Sequence, residues 1–274
     1  MQKQAIPMLK LSNGVLMPQL GLGTWKLWGD ECVKAVKAAL DAGYRHIDTA
    51  ERYANQSDIG MAIKGHPRKS LFITSKVWYD HLHHDDLIEA CTATLEELRT
   101  DYVDMYIIHW PNSGVPFKET FGALNELYRA KKIRATGVSN FSISNMRKAM
   151  KVCDAPITNN QIETHPFWHD EKLLGFCREN DIVVTAYSPL AQGKVFHDMR
   201  IIALAEKYGK NPGQLTLRWL VQKGCAVIPK ASEKIRLVEN MSIFDFEISG
   251  EDMRILDSLK PQKRMVNADF AEWD

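Results

Sequence analysis

The stretch "AGYRHIDTAERY", Ala42 to Tyr53, sets a glycine, a short apolar step and a carboxylate, Asp48, in that order, with a phenol five residues later at Tyr53. Gly43 is suited to end a helix, since glycine takes the left-handed cap conformation without steric cost. The apolar step then reads as a strand of a buried sheet that finishes in a polar group. The same unit recurs along the chain. Eight strand-like runs follow one another: "PQLGLGTW" (18–25), "RHIDTA" (45–50), "LFITSK" (71–76), "VDMYIIHW" (103–110), "IRATGVSN" (133–140), "ITNNQIE" (157–163), "IVVTAYS" (182–188) and "CAVIPK" (225–230). Between them lie segments of helical period: 30–42, 85–99, 117–130, 142–152, 170–179, 200–208 and 212–221, with 234–241 and 249–260 after the last strand. Several open on Asp or Ser, and Asn211-Pro212 is a cap followed by a proline suited to the first helical turn.

Alternation of this kind predicts an α/β fold, a closed (β/α)8 TIM barrel of parallel strands, with extra helices near the C-terminus. At the front, "LKLSNGVLMPQL" reads as a hairpin about Asn13-Gly14 that caps the bottom of the barrel. No low-complexity linker or charge block interrupts the pattern, so residues 1–274 are expected to form a single domain.

Composition fits that expectation. Hydrophobic residues are 45% and charged residues 25%, enough apolar material for a large core. Thirty-five basic against thirty-four acidic residues leave a formal charge of +1, with no global field for nucleic acid or an anionic membrane, and neither is expected as a partner. The five cysteines, Cys32, Cys91, Cys153, Cys177 and Cys225, are scattered and form no CxxC pair, which suits reduced, buried thiols in a cytoplasmic protein. The N-terminus has no apolar signal core, and no run of about eighteen apolar residues occurs.

In such barrels the chemistry is built where the strands end. Here the successive ends carry Asp48, Lys76, His109, Ser139 with Asn140, Gln161, Tyr187 with Ser188, and Lys230. Each alone has a plain explanation: Asp as a turn residue, His as a hydrogen-bonded structural group, Lys as a solvated surface charge. An acid, a lysine, a histidine and a nearby tyrosine at consecutive ends are not explained by capping.

The runs "GLGTW", "YRHIDTAERYANQ", "ITSKVW", "IHWP", "GVSNF", "NQIE", "YSPLAQG" and "IPKASEKIRLVEN" resemble the successive motifs of the aldo-keto reductases, in order and over almost the whole chain. The short loops and the C-terminal "AEWD" are most similar to those of the bacterial 2,5-diketo-D-gluconate and methylglyoxal reductases. The resemblance implies NADP(H)-dependent reduction of small aldehydes, ketoaldehydes or keto sugars. Tyr53 would be the general acid, Lys76 and Asp48 its partners, and His109 the residue that orients the carbonyl. Hydride addition creates an alkoxide that needs a proton donor, and a free phenol, with a pKa of about 10, is a reluctant one. A neighbouring ammonium at Lys76 is expected to ease proton release, with Asp48 keeping that lysine charged.

A dinucleotide fingerprint is missing: after Gly21 and Gly23, position 26 is lysine, and these glycines read as strand packing. The resemblance instead places Ser139, Asn140 and Gln161 on the nicotinamide carboxamide and Tyr187 against its ring. Lys230 and Arg236, about a helix start expected at Ser232, would hold the 2′-phosphate of NADP. Thr24, Trp25, Asp48, Ser188, Leu190, Gln192, Glu239 and Asn240 complete the cofactor contacts that it implies. Two positions depart from the family pattern: Ala231 stands where a serine is common, and Gln56 where a glutamate is usual.

Trp25, Trp28, Trp78 and Trp110, with His109, are expected to wall the substrate cavity, and Trp219, inside an amphipathic segment, to be core. Only fourteen residues follow Lys260, which suggests an open pocket. His81, His83 and His84 lie close in sequence without a ligand pattern, and no metal is expected. A monomer acting on a small carbonyl substrate is the resulting expectation. Two rivals remain: an aldolase using Lys76 as nucleophile, and a non-catalytic cofactor sensor on the same barrel.

Overall fold

The computed structural model describes residues 5–271. The chain begins with an antiparallel hairpin of β1 (Met8–Lys10) and β2 (Leu16–Pro18), in which Leu9 lies opposite Met17. Gly14 turns it with φ at 85°. Then come β3 (Leu22–Gly23), β4 (His46–Asp48), β5 (Phe72–Val77), β6 (Met105–Ile108), β7 (Thr136–Ser139), β8 (Ile157–Glu163), β9 (Val183–Tyr187) and β10 (Ala226–Val227). These eight are parallel and hydrogen-bonded in chain order. The two ends meet: Leu20 bridges Val227, the Gly21 N–H donates to Val227 O at 2.9 Å, and the Gly23 N–H to Pro229 O at 3.2 Å.

The closure explains the glycines. A Cβ on Gly23 would stand 2.5 Å from the Ile228 carbonyl oxygen, and one on Gly21 2.7 Å from the His46 ring. The expectation that they serve strand packing holds.

Around the strands run α1 (Gly29–Ala42), α2 (Gln56–Ala62), α3 (His84–Leu98), α4 (Phe117–Arg129), α5 (Ile143–Ala149), α6 (Glu171–Glu179), α7 (Met199–Lys207), α8 (Pro212–Gln222), α9 (Lys234–Met241) and α10 (Gly250–Asp257). The caps read from sequence are present at Ser142, Asp170 and Asn211, the last as a full capping box with Gln214. Other features differ from expectation: Asp30 and Asp85 do not cap but lie in the first turns of α1 and α3, behind Trp28 and His83, where their charge suits the helix N-terminus. Helix α9 begins at Lys234, with Glu233 at the N-cap position and no side-chain capping bond, and Ser232 lies outside it. Helix α2 is not expected from the sequence, because Gly60 at its centre weakens the helical signal. That glycine is needed there: its Cβ would meet the Glu97 carbonyl of α3 at 2.5 Å.

The hairpin packs Leu11 and Met17 onto Phe72, Met105, Ile107, Ala135 and Ala226, while the Asn13 amide donates to Arg134 O at 3.0 Å. Phe72, Met105 and Ala226 begin their strands and Ala135 precedes β7, so the hairpin seals the N-terminal mouth, as expected. The other mouth is left for chemistry. Trp219 is fully buried, as read, with its indole N–H donating to Asp257 at 2.9 Å. Four of the five thiols are buried and Cys153 is half-buried. Burial pushes the thiols of Cys32, Cys91, Cys177 and Cys225 up to about 12, which makes them inert packing groups. Among the described residues no helix is long and apolar enough to cross a membrane.

Candidate active site

Strand β4 carries Asp48 to the open mouth, and β5 brings Lys76 beside it. Both are buried, and the Lys76 ammonium donates to Asp48 Oδ1 at 2.5 Å, to the Thr49 carbonyl at 2.8 Å and to the Tyr53 hydroxyl at 3.4 Å. Three donors thus meet three acceptors, which is what a fixed, charged ammonium requires. The short 3-10 turn Glu51–Tyr53 after β4 folds the phenol back over the strand ends, and Ala54 at φ 54° ends it. His109 follows β6, its ring centroid 5.7 Å from Tyr53 and 5.1 Å from Trp78. The three strand-end residues Asp48, Lys76 and His109 and the nearby Tyr53 are together.

Burial governs their ionisation. It holds the Tyr53 phenol well above its ordinary value, with the Asp48 charge acting in the same direction. This corrects the expectation that Lys76 draws the phenol down: loss of water and the adjacent carboxylate outweigh the ammonium. The group is therefore a protonated acid at neutral pH. Burial also draws Lys76 down from the usual lysine range, opposed by Asp48. His109 is held well below the free-histidine value by burial and by Lys76, so it is neutral. Its Nδ1 is buried without a partner among the described residues, and since a bare acceptor is a less costly orphan than an N–H, the proton is assigned to Nε2.

Burial lowers His46 and His169 as well. A histidine whose folded value is depressed contributes stability that is complete above its unfolded value, about 6.5, and is lost as pH falls toward the folded one. The thermal midpoint should therefore be level above about pH 7 and fall on acidification below about pH 6. A midpoint unchanged between pH 7 and 5 would contradict this.

The residues expected to contact the nicotinamide form one hydrogen-bonded chain with Asp48. Gln161 Nε2 donates to Asp48 Oδ2 at 2.7 Å, Ser139 donates to Gln161 O at 2.8 Å, Asn140 donates to Ser139 Oγ at 3.0 Å, and the Tyr187 hydroxyl donates to Asn140 Oδ1 at 2.8 Å. Asn140 stands at φ 61°, and Ser188, Ala191 and Gln192 also occupy the left-handed region, a concentration of strain of the kind found at binding sites. Thr24 spends its hydroxyl on the Asp48 carbonyl at 2.9 Å, so it places Asp48. Leu190 precedes the irregular turn Ala191–His197. Lys230, Ser232 and Arg236 are exposed, Arg236 pairing with Glu239 at 2.9 Å, and Asn240 lies buried beside the Tyr44 hydroxyl. The donor set suits a nicotinamide cofactor: amide-matching side chains and an aromatic ring beside the acid, and exposed cations at α9.

Gln56, the departure at the expected glutamate, accepts from Ser75 Oγ at 2.5 Å and donates to Glu97 Oε2 at 2.9 Å. A neutral amide can do both, whereas a glutamate would face Glu97 as a like charge.

The tryptophans are divided. Trp78 and the buried Trp110 stand beside His109, whereas Trp25 and Trp28 are exposed on the first loop. Trp25 is covered by the Lys26 ammonium at 4.5 Å, and the Trp28 indole donates to Tyr53 O at 2.9 Å. Three residues not singled out from the sequence join the site. Glu51 accepts the Trp78 N–H at 2.9 Å and pairs with His81 at 2.6 Å, fixing the loop after β5. Phe270 stacks on Tyr79 at 4.4 Å and meets Trp78 and Trp110 edge-on at 5.5 Å each. The pocket is accordingly not left open: short as it is, the C-terminal segment returns across it. Glu163, which ends β8, is the third. Of the "AEWD" motif, residues 272–274 lie outside the described residues.

His81, His83 and His84 each pair with carboxylates of their own, Glu51, Glu119 and Asp85 with Glu126, so they do not converge. The one convergent set among the described residues, His169, Glu171 and Asp257, already surrounds the Lys223 ammonium, which lies 2.7 Å from Glu171 and 2.8 Å from Asp257.

A (β/α)8 barrel with polar side chains gathered at the C-terminal ends of its strands is an enzyme scaffold. Residues 19–261 match the Aldo/keto reductase family, and the chain belongs to that family of oxidoreductases. It is 42% identical over 260 residues to the glyoxal reductase of Bacillus subtilis (strain 168), covering 94% of each chain. A crystal structure provisionally described as a 2,5-diketo-D-gluconic acid reductase B superposes with a TM-score of 0.94 at 41% identity, over 98% of each chain. An aldo-keto reductase solved in complex with NADPH superposes with a TM-score of 0.91 at 32% identity, over 97% of this chain and 91% of that one.

Proposed function

We propose that this protein reduces small aldehydes, ketoaldehydes or keto sugars to alcohols with NADPH, with Tyr53 as the proton donor. The observation that carries the reading is the buried triad in which Asp48 fixes Lys76 and Lys76 reaches the Tyr53 hydroxyl at 3.4 Å. Bound NADPH supplies the hydride. The chain's own groups do the rest: His109, neutral, donates from Nε2 to the carbonyl oxygen and orients it. As negative charge grows on that oxygen, the Tyr53 hydroxyl gives up its proton, and the Lys76 ammonium stabilises the phenolate left behind. Asp48 keeps the ammonium in place throughout. Ser139, Asn140, Gln161 and Tyr187 would hold the nicotinamide, and Lys230 with Arg236 the 2′-phosphate. The relatives named above, one a glyoxal reductase and one bound to NADPH, support this choice of substrate class and cofactor.

The test is loss of NADPH absorbance with methylglyoxal, run in parallel with NADH. NADPH should be preferred by at least about tenfold in kcat/KM, because a charge-assisted contact to a phosphate contributes on the order of 1.5–3 kcal/mol. Equal values would refute the phosphate assignment, and no turnover with any carbonyl would refute the reaction.

The aldolase reading draws some support from the lowered Lys76. Against it, all three ammonium hydrogens have acceptors, so no lone pair is free to attack. Borohydride in the presence of a carbonyl substrate should leave Lys76 unmodified; a reduced adduct there would reverse the choice.

A further inference from the structure

Glu163 is a carboxylate without exposure at its side chain, at the end of β8 and one strand from Tyr187, and the reduction just described gives it no task. A buried anion is costly unless its oxygens are satisfied. Its hydrogen-bonding partners among the described residues are His165, whose Nε2 lies 3.0 Å from Oε1, and two main-chain groups of the C-terminal segment: the Met265 N–H donates to Oε1 at 2.5 Å and the Val266 N–H to Oε2 at 3.1 Å, with the Arg264 guanidinium of the same segment adding an electrostatic attraction. The neighbouring residues of that segment are fastened to the loop after β8. The Lys263 N–H donates to Phe167 O at 2.5 Å, Gln262 Nε2 to Pro166 O at 3.2 Å, and the Arg264 guanidinium lies 4.3 Å from the Trp168 ring. Four residues beyond Val266 comes Phe270, against Tyr79, Trp78 and Trp110 on the far side of the mouth. Four residues span at most about 14 Å, so where Val266 is held restricts where that ring can rest.

We propose that Glu163 is a positioning residue for the reaction: by binding the amides of Met265 and Val266 it holds Phe270 against the tryptophans beside His109, and so completes the aromatic wall that receives the substrate. The carboxylate acts through the main chain of the tail. A glutamine is nearly isosteric but presents N–H to one of the two amides, so one of the two attachments is lost. Because Phe270 is a wall and not a proton donor, the loss weakens binding of an aryl substrate and leaves the chemical step in place.

The kinetic arm rests on the reductase reading; a second arm does not. In the first, Glu163→Gln should raise KM for phenylglyoxal about tenfold with kcat within about threefold and NADPH affinity unchanged. Phe270→Ala should do the same, and the double variant should be no worse than Phe270→Ala alone, the signature of two residues acting in one path. Met265→Pro, which deletes one donated N–H and leaves Glu163 and His165 untouched, should reproduce the KM effect and serves if the glutamine variant folds poorly. In the second arm, hydrogen exchange at the amides of residues 265 and 266 should be slow in the parent protein and at least about tenfold faster in Glu163→Gln. KM effects that multiply in the double variant, or weakened NADPH binding, would place Glu163 on another path and overturn the proposal. Unchanged exchange would overturn it whether or not the protein reduces carbonyls.

Discussion

Tyr53→Phe is expected to lose about 10²–10⁴-fold in kcat, the range for removing a positioned general acid, while NADPH binds as before. The substitution deletes one oxygen and little else. The Tyr53 ring would still pack against His109 at 5.7 Å and under the Lys76 ammonium, which lies 4.9 Å from the ring centroid. Lys76 would keep Asp48 and Thr49 O as acceptors, so its position would not depend on the lost hydroxyl. Folding stability should therefore move little, and the effect should fall on the chemical step, as a drop in single-turnover rate at saturating NADPH. Burial makes the test sharp: the phenol is held protonated well above its free value, so no accessible pH in the neutral range converts it to phenolate and mimics the variant. Near-normal turnover would remove Tyr53 from the donor role and shift attention to His109, the neutral imidazole packed against it.

How far the sequence is legible follows from the range of the forces involved. Asp48, Lys76 and His109 can be placed because a strand's period fixes which residue reaches the barrel mouth, and eight such periods repeat. Caps such as Asn211 with Gln214 are equally local, and equally readable. Helix α2 is not, since Gly60 is there to admit the backbone of α3, a contact thirty-seven residues away in sequence that no window around residue 60 contains. Phe270 and Glu163 are hidden for the same reason. In sequence Phe270 is a loose terminal aromatic, and only the return of the chain across the mouth gives it neighbours; Glu163 reads as no more than the last residue of a strand until the tail's amides reach it. The ionisation of Tyr53 escapes a sequence reading because charge can be counted from sequence and loss of water cannot.

The lysine offers a further separation, between what holds the fold and what performs chemistry. Lys76→Met should destabilise the protein by about 3–5 kcal/mol, because it leaves Asp48 as an unpaired anion in a site sealed from water. Gln161 would still donate to Asp48 Oδ2, but one amide N–H does not replace an ammonium. Turnover should fall as well, by a factor on the order of that for Tyr53→Phe, since the phenolate would form with no cation beside it. The two losses have different cures. Adding Asp48→Asn to Lys76→Met removes the orphaned charge, and the amide oxygen that replaces the carboxylate can still accept from Gln161, so most of the stability should return while activity stays lost. Urea melts and single-turnover rates on the two singles and the double would show it. If the double variant is no more stable than Lys76→Met, Asp48 was not penalised by burial; if it regains turnover, the ammonium is not what stabilises the tyrosine's conjugate base.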